Sequence, residues 1–521
     1  MSAAPPLDHP PLQGSARVIG TLALSMATFM NVLDSSIANV SIPAIAGNLG
    51  VSPAQGTWVI TSFGIANAIA LPLTGWLAQR FGAVRLFIAS VLLFVTSSWL
   101  CGLATSLEML VAARVLQGLV AGPMMPLSQI LLMASFPRHQ VGKALAFWGM
   151  TTLVAPVVGP LLGGWVTDNF SWPWIFYINV PVGVLAALVT WRLYRHRDTP
   201  IQKLPIDRVG LALLVLWVGS LQLMLDMGKE LDWFASPLIS GLALAAVVGL
   251  ALFVAWELTD AHPVVDLRLF GRRNFGFGVL TTALGYGLFF GNVVLLPLWL
   301  QQWMGYTATD AGMVLAPVGL LAIVLSPLVG KKVSVWDPRV MASVAYLIFT
   351  YVLWLRAGFT TQTDYFHIML PTLLQGAGMA MFFIPLTTIS LSGLDPRRLP
   401  AAAGLSNFMR ITAGAMGTSI TTTLWESRAA MHRAHLVEGL QQGNPALAEM
   451  LGTLGGLGAS DAAALAQINR LIDQQAYTRA ADDIFLGSAL MFTLLIAMIW
   501  LTTRPPRLVQ APASVDASGA H

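Results

Sequence analysis

The sequence predicts an all-α polytopic membrane protein, and three observations support that class. Of 521 residues, 56% are hydrophobic and only 10% are charged, whereas soluble proteins carry about 25% charged residues. Apolar stretches of about 20 residues, the length of a bilayer-spanning helix, recur along the chain. The basic residues lie singly or in pairs at the ends of these stretches, which predicts contact with a lipid bilayer and argues against nucleic-acid binding.

Apolar windows separated by polar breaks predict fourteen spans. Their approximate cores are 18–40, 57–77, 85–103, 107–131, 141–166, 173–194, 209–225, 237–257, 275–300, 311–329, 340–355, 367–391, 401–424 and 484–502. The first 17 residues are polar and rich in proline, so no cleavable signal peptide is expected.

The charged loops predict the orientation of the bundle. With the N-terminus in the cytoplasm, the inner loops hold nearly all the basic residues: Arg80, Arg85, Arg138, Lys143, Arg192, Arg195, Arg197, Lys203, Arg208, Arg268, Arg272, Arg273, Lys331, Lys332, Arg339, Arg397, Arg398, Arg504 and Arg507. The outer loops hold few, mainly Lys229 and Arg356. This bias places the N-terminus in the cytoplasm, and an even number of spans returns the C-terminus there.

The same pattern divides the chain. A cytoplasmic tail (1–17), a six-helix half (18–194) and a basic cytoplasmic linker (195–208) precede two inserted transmembrane helices (209–258). A cytoplasmic loop (259–274), a second six-helix half (275–502) and a C-terminal tail (503–521) follow. Between the last two spans an outer, periplasmic segment (427–483) is predicted to form a small helical hairpin. A faint repeat, GWLAQRFGAVR and GKKVSVWDPR, is typical of secondary transporters.

Asp34 is the leading functional candidate because it lies inside the first span, in MNVLDSSIANVSIPAI. A carboxylate at bilayer depth costs about 2.5 to 3.5 kcal/mol on insertion scales and usually faces a protein interior or a wet path. Two arginines within apolar sequence, Arg114 in AARVLQGLVAG and Arg410 in LSNFMRITAGAMGTS, are candidate partners. Each could instead extend to a membrane interface, and Arg410 could also bind the anionic end of a substrate.

Two glycine-containing motifs are candidates for conformational roles. The loop GWLAQRFGAVR contains Gly75, Gln79, Arg80, Gly82 and Arg85, and its glycines permit a tight turn. An ordinary positively charged loop would explain it equally well.

The second motif, APVVGPLLGGW, lies in the fifth span. Gly159 and Gly163 share one helix face and allow close packing, Pro160 favours a bend, and Gly164 follows. Plain helix packing is the alternative explanation.

Little in the chain favours an enzyme. Cys101 is the only cysteine, so no disulfide framework or cysteine metal cluster is possible, and it is expected to be a small core residue. No second carboxylate is spaced with Asp34 and no nucleotide loop is evident, so neither a cofactor nor a metal is expected. Asp226 and Glu257 end the seventh and eighth spans and are expected to be interfacial or solvated.

These motifs together resemble the major facilitator superfamily, most closely its fourteen-span drug:proton antiporters of the EmrB/QacA type. LDSSIANVSIPAI resembles the first-span signature, GWLAQRFGAVR the loop motif, AARVLQGLVAG the fourth-span arginine motif and GPLLGGW the antiporter motif. The resemblance covers nearly the whole chain. Gln79 departs from it, standing where the loop motif usually has an acidic residue, and the second basic position is displaced to Arg85.

The resemblance implies a major facilitator fold of two six-helix halves plus two extra helices. It implies a proton-driven multidrug exporter in which Asp34, with Arg114 or Arg410, couples protons to transport. Hydrophobic drugs would contact a central cavity whose candidate residues are Met30, Asp34, Met124, Met125, Met379, Phe382 and Phe383. In the bacterial inner membrane it would work with an EmrA-like periplasmic adaptor and an outer-membrane channel. Export of one metabolite, lipid or siderophore by the same antiport is the alternative.

Overall fold

The computed structural model describes residues 10–51, 53–137, 140–202, 205–333, 335–438, 445–456 and 460–505. Every regular element in these ranges is an α-helix or a short 3-10 turn, so the predicted all-α class is confirmed. Three predicted loop cations, Arg138, Lys203 and Arg507, lie outside the described residues, as does most of both predicted tails.

In the described residues, the N-terminal half contains nine helical segments. They are α1 (Gly14–Leu49), α2 (Pro53–Gly56), α3 (Trp58–Ala70), α4 (Thr74–Phe81), α5 (Ala83–Gly102), α6 (Leu107–Ser135), α7 (Val141–Asn169), α8 (Trp174–Tyr177) and α9 (Asn179–Tyr194). Two further helices, α10 (Arg208–Met227) and α11 (Pro237–Thr259), follow the linker. The C-terminal half contains α12 (Arg273–Trp303), α13 (Ala308–Lys332), α14 (Pro338–Arg356), α15 (Tyr365–Ser390), α16 (Leu399–Glu438), α17 (Pro445–Gly456) and α18 (Asp461–Ile499).

Most of these helices satisfy the requirements of a membrane span. Among the described residues, eleven helical segments are long and apolar enough to cross a bilayer, and α3 with α4, which meet at a 63° bend, would make a twelfth. The helices α7 and α16 are not in that count, although they are 29 and 40 residues long. Each packs along a core helix, α7 against α1 and α16 against α12.

Each half buries its own apolar core. In the N-terminal half, residues of α1, α5, α6 and α9 form one cluster around Phe87, Phe94 and Met124. In the C-terminal half, α12, α14, α15 and α18 pack around Trp299, Phe349 and Phe382. The helix pair α10–α11 attaches through α10, which packs against α3 and α16, while α11 presents a row of exposed apolar side chains. Such a row is what a lipid-facing helix requires.

The basic loops meet at one end of the bundle, which we call the basic end. The following contacts join them: Val84 N to Asp198 Oδ1 at 2.9 Å, Trp256 Nε1 to Asp207 Oδ2 at 2.9 Å, Arg398 Nη1 to Asp266 Oδ2 at 3.5 Å, and Asn274 Nδ2 to Ser392 Oγ at 2.9 Å. Both described chain ends lie there too. Leu12 N donates to Ser135 O at the end of α6, and Thr503 N donates to Asn274 Oδ1 at the start of α12.

The two halves make close contact at the basic end through small residues. A Cβ on Gly75 of α4 would lie 2.4 Å from the Cβ of Ala401 in α16. A Cβ on Gly142 of α7 would lie 2.1 Å from the carbonyl oxygen of Gly330 in α13. Real Cβ atoms are not found so close to other atoms, so only small residues allow these backbones to approach. The halves are therefore closed against each other at this end.

At the opposite end α16 and α18 extend past the rest of the bundle. The predicted hairpin segment 427–483 begins as a continuation of α16 to Glu438 and ends as the first turns of α18 from Asp461. Arg433 Nε pairs with Asp473 Oδ1 at 2.6 Å, and His432 Nε2 lies 2.8 Å from Asp483 Oδ2. In its described residues the segment is helical: its two arms continue α16 and α18, and α17 lies between them in sequence.

Two expectations for charged residues at helix ends were wrong. Arg356 was expected in an outer loop, but it is the last residue of α14 and is only 1% exposed. Glu257 was expected to be solvated, but it is fully buried, and its Oε2 accepts a hydrogen bond from Val265 N at 3.1 Å. The connection after α11 folds back onto Glu257, whereas the side chain of Arg356 packs against α15 through Thr372 and Gln375.

Candidate functional site

Asp34 lies in the middle of α1 with no solvent exposure. Its Oδ2 accepts from Arg114 Nη1 at 2.5 Å, and its Oδ1 accepts from Gln117 Nε2 at 3.0 Å and Asn179 Nδ2 at 2.8 Å. The carboxylate therefore has one ionic partner and two neutral donors. Helix α6 supplies two of these donors and α9 supplies the third, so the site joins α1, α6 and α9 inside the N-terminal half.

Arg114 is held from several sides and has no exposed surface. Its Nη1 also donates to Gln117 Oε1 at 2.7 Å, and its Nε donates to Val59 O at 2.9 Å. The guanidinium lies 4.2 Å from the ring centroid of Phe63 and 5.5 Å from that of Phe176. Aromatic faces attract a desolvated cation. Arg114 is thus placed as an internal ion-pair partner and does not reach an interface.

Sequence reasoning missed Gln117, Asn179 and Ser98. Ser98 Oγ accepts from Asn179 Nδ2 at 3.0 Å and from Gln117 Nε2 at 3.3 Å, and donates to Phe176 O at 2.9 Å. Ser98 thereby helps to orient the amide groups of Gln117 and Asn179 toward Asp34. Polar residues inside apolar spans were the available signal, since a buried amide or hydroxyl needs a partner. Which partner it finds depends on helix packing, which the sequence pattern does not specify.

This arrangement suits a carboxyl group that changes its protonation state. In the ion-paired form, charge-assisted hydrogen bonds compensate the desolvation of both charges. A proton on Asp34 would remove the ionic attraction, while Val59 O, Gln117 and Phe63 would still hold Arg114. Because neither side chain is exposed, proton exchange requires a conformation in which water reaches Asp34.

The structure does not bring Arg410 to Asp34. Arg410, in α16, is 5% exposed, and its Nη2 donates to Asn407 Oδ1 at 2.7 Å and lies 3.3 Å from Met125 Sδ. Its guanidinium lies 5.1 to 5.3 Å from three ring centroids, those of Trp148, Tyr286 and Phe383. Helices from both halves supply these groups. Among the described residues, no carboxylate lies within ion-pair distance of Arg410.

The predicted drug-contact residues separate into two groups. Met125 and Phe383 meet at Arg410, between the halves. The others pack inside one half: Met30 and Met124 in the N-terminal core, and Met379 and Phe382 in the C-terminal core. Methionine and aromatic residues recur in both settings, and therefore residue type alone does not distinguish positions between the halves from positions inside one half.

The loop motif is held by the linker. Gly82 has φ +87°, a conformation that glycine adopts readily, and Asp198 lies against it where a Cβ would be. Asp198 accepts from Val84 N at 2.9 Å and pairs with Arg85 Nε at 3.3 Å. Gln79 Nε2 donates a hydrogen bond to Gly75 O, one turn earlier in the same helix, at 3.3 Å. Arg80 lies 5.5 Å from the ring of Trp76. A carboxylate thus contacts this loop from position 198, not from position 79.

The two motif glycines of α7 pack against α1 beside Asp34. A Cβ on Gly159 would lie 2.5 Å from Ser36 Oγ, and one on Gly163 would lie 2.8 Å from Ile37 O. Gly164 is only partly buried. The side chain of Pro160 lies outside the described part of the helix. The close approach of α7 to α1 therefore depends on the absence of side chains at two positions four residues apart.

Comparisons with known proteins agree with this architecture. Residues 24–418 match the model of the Major Facilitator Superfamily. The chain is 50% identical to the multidrug export protein EmrB of Haemophilus influenzae, over 95% of this chain and 98% of that protein. It is 47% identical to the fatty acid resistance protein FarB of Neisseria gonorrhoeae, over 96% of this chain and 98% of that protein.

A solved structure shares the fold at low sequence identity. The crystal structure of the human organic anion transporter MFSD10 (TETRAN) superposes with a TM-score of 0.58 at 12% identity, over 94% of this chain and 100% of that chain. That likeness concerns the fold alone, whereas the family match and the relatives concern the sequence. The chain belongs to the major facilitator superfamily, among its EmrB-type members.

Proposed function

We propose that this multi-pass inner-membrane protein is a proton-driven multidrug exporter. The observation that carries the proposal is the fully buried ion pair between Asp34 and Arg114, with an Oδ2–Nη1 distance of 2.5 Å. A buried carboxylate beside an arginine is a group whose protonation can be coupled to a conformational change. The EmrB relatives, named for multidrug export, supply the substrate class.

In the proposed cycle, Asp34 takes a proton while the cavity is open to the outside and releases it while the cavity is open to the cytoplasm. Protonation weakens the contact with Arg114 Nη1 and so favours movement between α1 and α6. Deprotonation restores the ion pair. If proton and drug favour opposite conformations, the proton gradient drives export.

The proposed topology has fourteen spans with both termini in the cytoplasm. Two features support it beyond the hydropathy count. The long helices α7 and α16 lie along core helices of the two halves. The described chain ends share the basic end, which the positive-inside rule assigns to the cytoplasm.

The proposed drug site lies where the halves meet, around Arg410, Met125 and Phe383. The aromatic rings and the thioether can adapt to different apolar ligands. The guanidinium can bind the anionic end of an amphipathic substrate. The remaining predicted residues, Met30, Met124, Met379 and Phe382, would act by shaping the two cores behind this site.

Partner proteins are also part of the proposal. The arms of α16 and α18 reach beyond the other helices at the end opposite the basic end. An EmrA-like periplasmic adaptor, joined to an outer-membrane channel, would dock there through helix-to-helix contacts. The chain would then be the inner-membrane component of a tripartite pump.

Export of a single lipid-like compound by the same antiport is the second candidate. One relative at 47% identity is named for fatty acid resistance. The cation at Arg410, surrounded by rings, would suit a carboxylate attached to an apolar chain. Proton-driven transport of ethidium and of a long-chain fatty acid, compared in the same vesicles, separates the candidates. A multidrug exporter moves chemically unrelated compounds, and a single-compound exporter moves only one of them.

The test of proton coupling is Asp34→Asn in proteoliposomes. The amide keeps the shape of the carboxyl but cannot titrate, so we expect drug binding to persist and accumulation driven by a pH gradient to be lost. Asp232→Asn is the matched control, because Asp232 is exposed and has φ +54°, which asparagine tolerates. Full proton-driven accumulation by Asp34→Asn would refute the assignment.

A further inference from the structure

The C-terminal half contains a buried cation that the transport scheme does not use. Arg356 ends α14 at the end of the bundle opposite the basic end, and its side chain is 1% exposed. Leu353 and Phe359, three residues before and after it, and Ile368, one turn before its partner Thr372, are 0 to 6% exposed and belong to one apolar core cluster. An arginine remains protonated in proteins, so this charge must be compensated where it lies.

The described contacts of Arg356 are all neutral. Its Nη2 donates to Gln375 Oε1 at 2.7 Å and to Thr372 Oγ1 at 3.0 Å. The Thr372 hydroxyl donates its own proton to Ile368 O, at 3.1 Å. Arg356 Nε is buried and has no hydrogen-bond partner in the described structure. Within the described ranges no carboxylate lies within ion-pair distance of this guanidinium.

The Asp34 site in the N-terminal half is built like the Arg356 site, but it also contains a carboxylate. Gln117 lies in the sequence Leu-Gln-Gly, and so does Gln375. The glycines that follow them pack alike: a Cβ on Gly118 would lie 2.4 Å from the carbonyl oxygen of Phe63, and one on Gly376 would lie 2.4 Å from that of Val318. The two glutamines therefore occupy equivalent positions on α6 and α15, one in each half.

Gln117 connects an arginine to an anion. Its Oε1 accepts from Arg114, and its Nε2 donates to the Asp34 carboxylate. Gln375 makes the first of these contacts, since its Oε1 accepts from Arg356. The second contact, from Nε2 to a carboxylate, has no counterpart among the described residues, because no carboxylate lies beside Gln375 there. The partial charge of the α14 C-terminus is about half a unit, which is less than the full charge of the guanidinium.

We propose that Arg356, Gln375 and Thr372 form a binding site for a small monovalent inorganic anion, such as chloride. Arg356 Nε and Gln375 Nε2 are its donors, and Thr372 helps to fix the guanidinium by accepting from Arg356 Nη2. The anion takes the place that the Asp34 carboxylate has in the N-terminal half. The site lies in one half only, so the proposal does not depend on the identity of the exported compound or on the direction of transport.

The test measures thermal unfolding of the purified, detergent-solubilised protein while chloride replaces gluconate at constant ionic strength. A ligand that binds only the folded state raises the unfolding temperature with its concentration, and we expect a saturable rise of about 2 °C or more for the wild type. Bromide, a halide of similar size, should act in the same way. An unfolding temperature that does not respond to either halide overturns the proposal.

Variants locate the site. Arg356→Gln should abolish the response to chloride. If that variant does not fold, Gln375→Leu keeps the arginine, removes one donor and should raise the half-saturating chloride concentration about tenfold, equivalent to the loss of one hydrogen bond. Arg195→Gln, at an exposed arginine, controls for net charge and should respond like the wild type. A response that survives in both Arg356→Gln and Gln375→Leu, or that is lost in Arg410→Gln instead, places the anion elsewhere and refutes the assignment.

Discussion

Three buried arginines show how far single residues can be assigned from sequence. Arg114 and Arg410 were identified because each interrupts an apolar span, and the position of Asp34 was identified for the same reason. Arg356 was missed because a basic residue at a span end usually reaches the interface. The sequence left the partner of Asp34 open between Arg114 and Arg410, because Arg114 is 80 residues away along the chain and only helix packing joins them.

At this scale we expect Arg114→Lys to lower proton-driven transport at least tenfold although it preserves the charge. Arginine contacts Asp34 and Gln117 through Nη1 and Val59 through Nε, whereas one ammonium cannot occupy both nitrogen positions. Initial rates of drug uptake into inverted vesicles provide the measurement. Arg192→Lys, at an exposed arginine in α9, is the control. Equal rates in wild type, Arg114→Lys and Arg114→Ala would mean that the ion pair has no part in coupling.

The positions of the helices were predictable because they depend on a local sequence pattern. Apolar windows predicted the helices, and the paired glycines of α7 predicted a close-packed face, which the structure places against α1. The neighbour itself was not predicted, because glycine spacing indicates a packing face without naming the helix that fills it. The loop motif shows the same limit: Asp198, from a linker notable only for its basic residues, provides the carboxylate at Arg85.

At the element scale we expect Gly159→Leu to separate α7 from α1 beside the Asp34 site. A Cβ there would lie 2.5 Å from Ser36 Oγ, so the larger side chain must displace α1. Overpacking of this kind costs about 1–3 kcal/mol. We expect a lower unfolding temperature together with loss of transport. Gly149→Leu in the same helix is the control, since nothing lies within 4 Å of a Cβ at Gly149. If both variants behave alike, the α1–α7 contact is not the cause.

At the scale of the whole molecule, composition and hydropathy were enough to predict the fold class, and the family comparison agrees with it. The extent of α16 and α18 was not predicted. These helices have 40 and 39 residues, or about 60 Å at 1.5 Å per residue, against a hydrocarbon core of about 30 Å. The change from apolar to polar sequence marks the edge of the membrane, and the helices continue through it.

The outer arms, residues 427–438 of α16 and 461–483 of α18, form the proposed docking surface for a partner protein. We expect replacement of residues 434–472 by a short Gly/Ser linker to leave proteoliposome efflux intact while abolishing adaptor binding and drug resistance in cells. The cut follows the structure, since Arg433 and Asp473 form an ion pair at 2.6 Å and Trp425 Nε1 still donates to Tyr477 O. Pull-down with an EmrA-like adaptor measures the effect, with a Gly/Ser replacement of the turn 360–363 as control. Retained binding and resistance would remove these arms from the interface.

The backbone contact between Gly142 and Gly330 has a consequence for the energy supply of the cell. The membrane that holds this protein is also the insulator across which the proton gradient is stored. Because a Cβ on Gly142 would lie only 2.1 Å from the carbonyl oxygen of Gly330, α7 and α13 leave no room at this contact for a file of water molecules along which protons could pass. In the proposed transport cycle, this contact, together with that of Gly75 and Ala401, would block proton leakage while the opposite end of the bundle is open. A bulkier residue at either glycine would therefore burden the cell even when no drug is present.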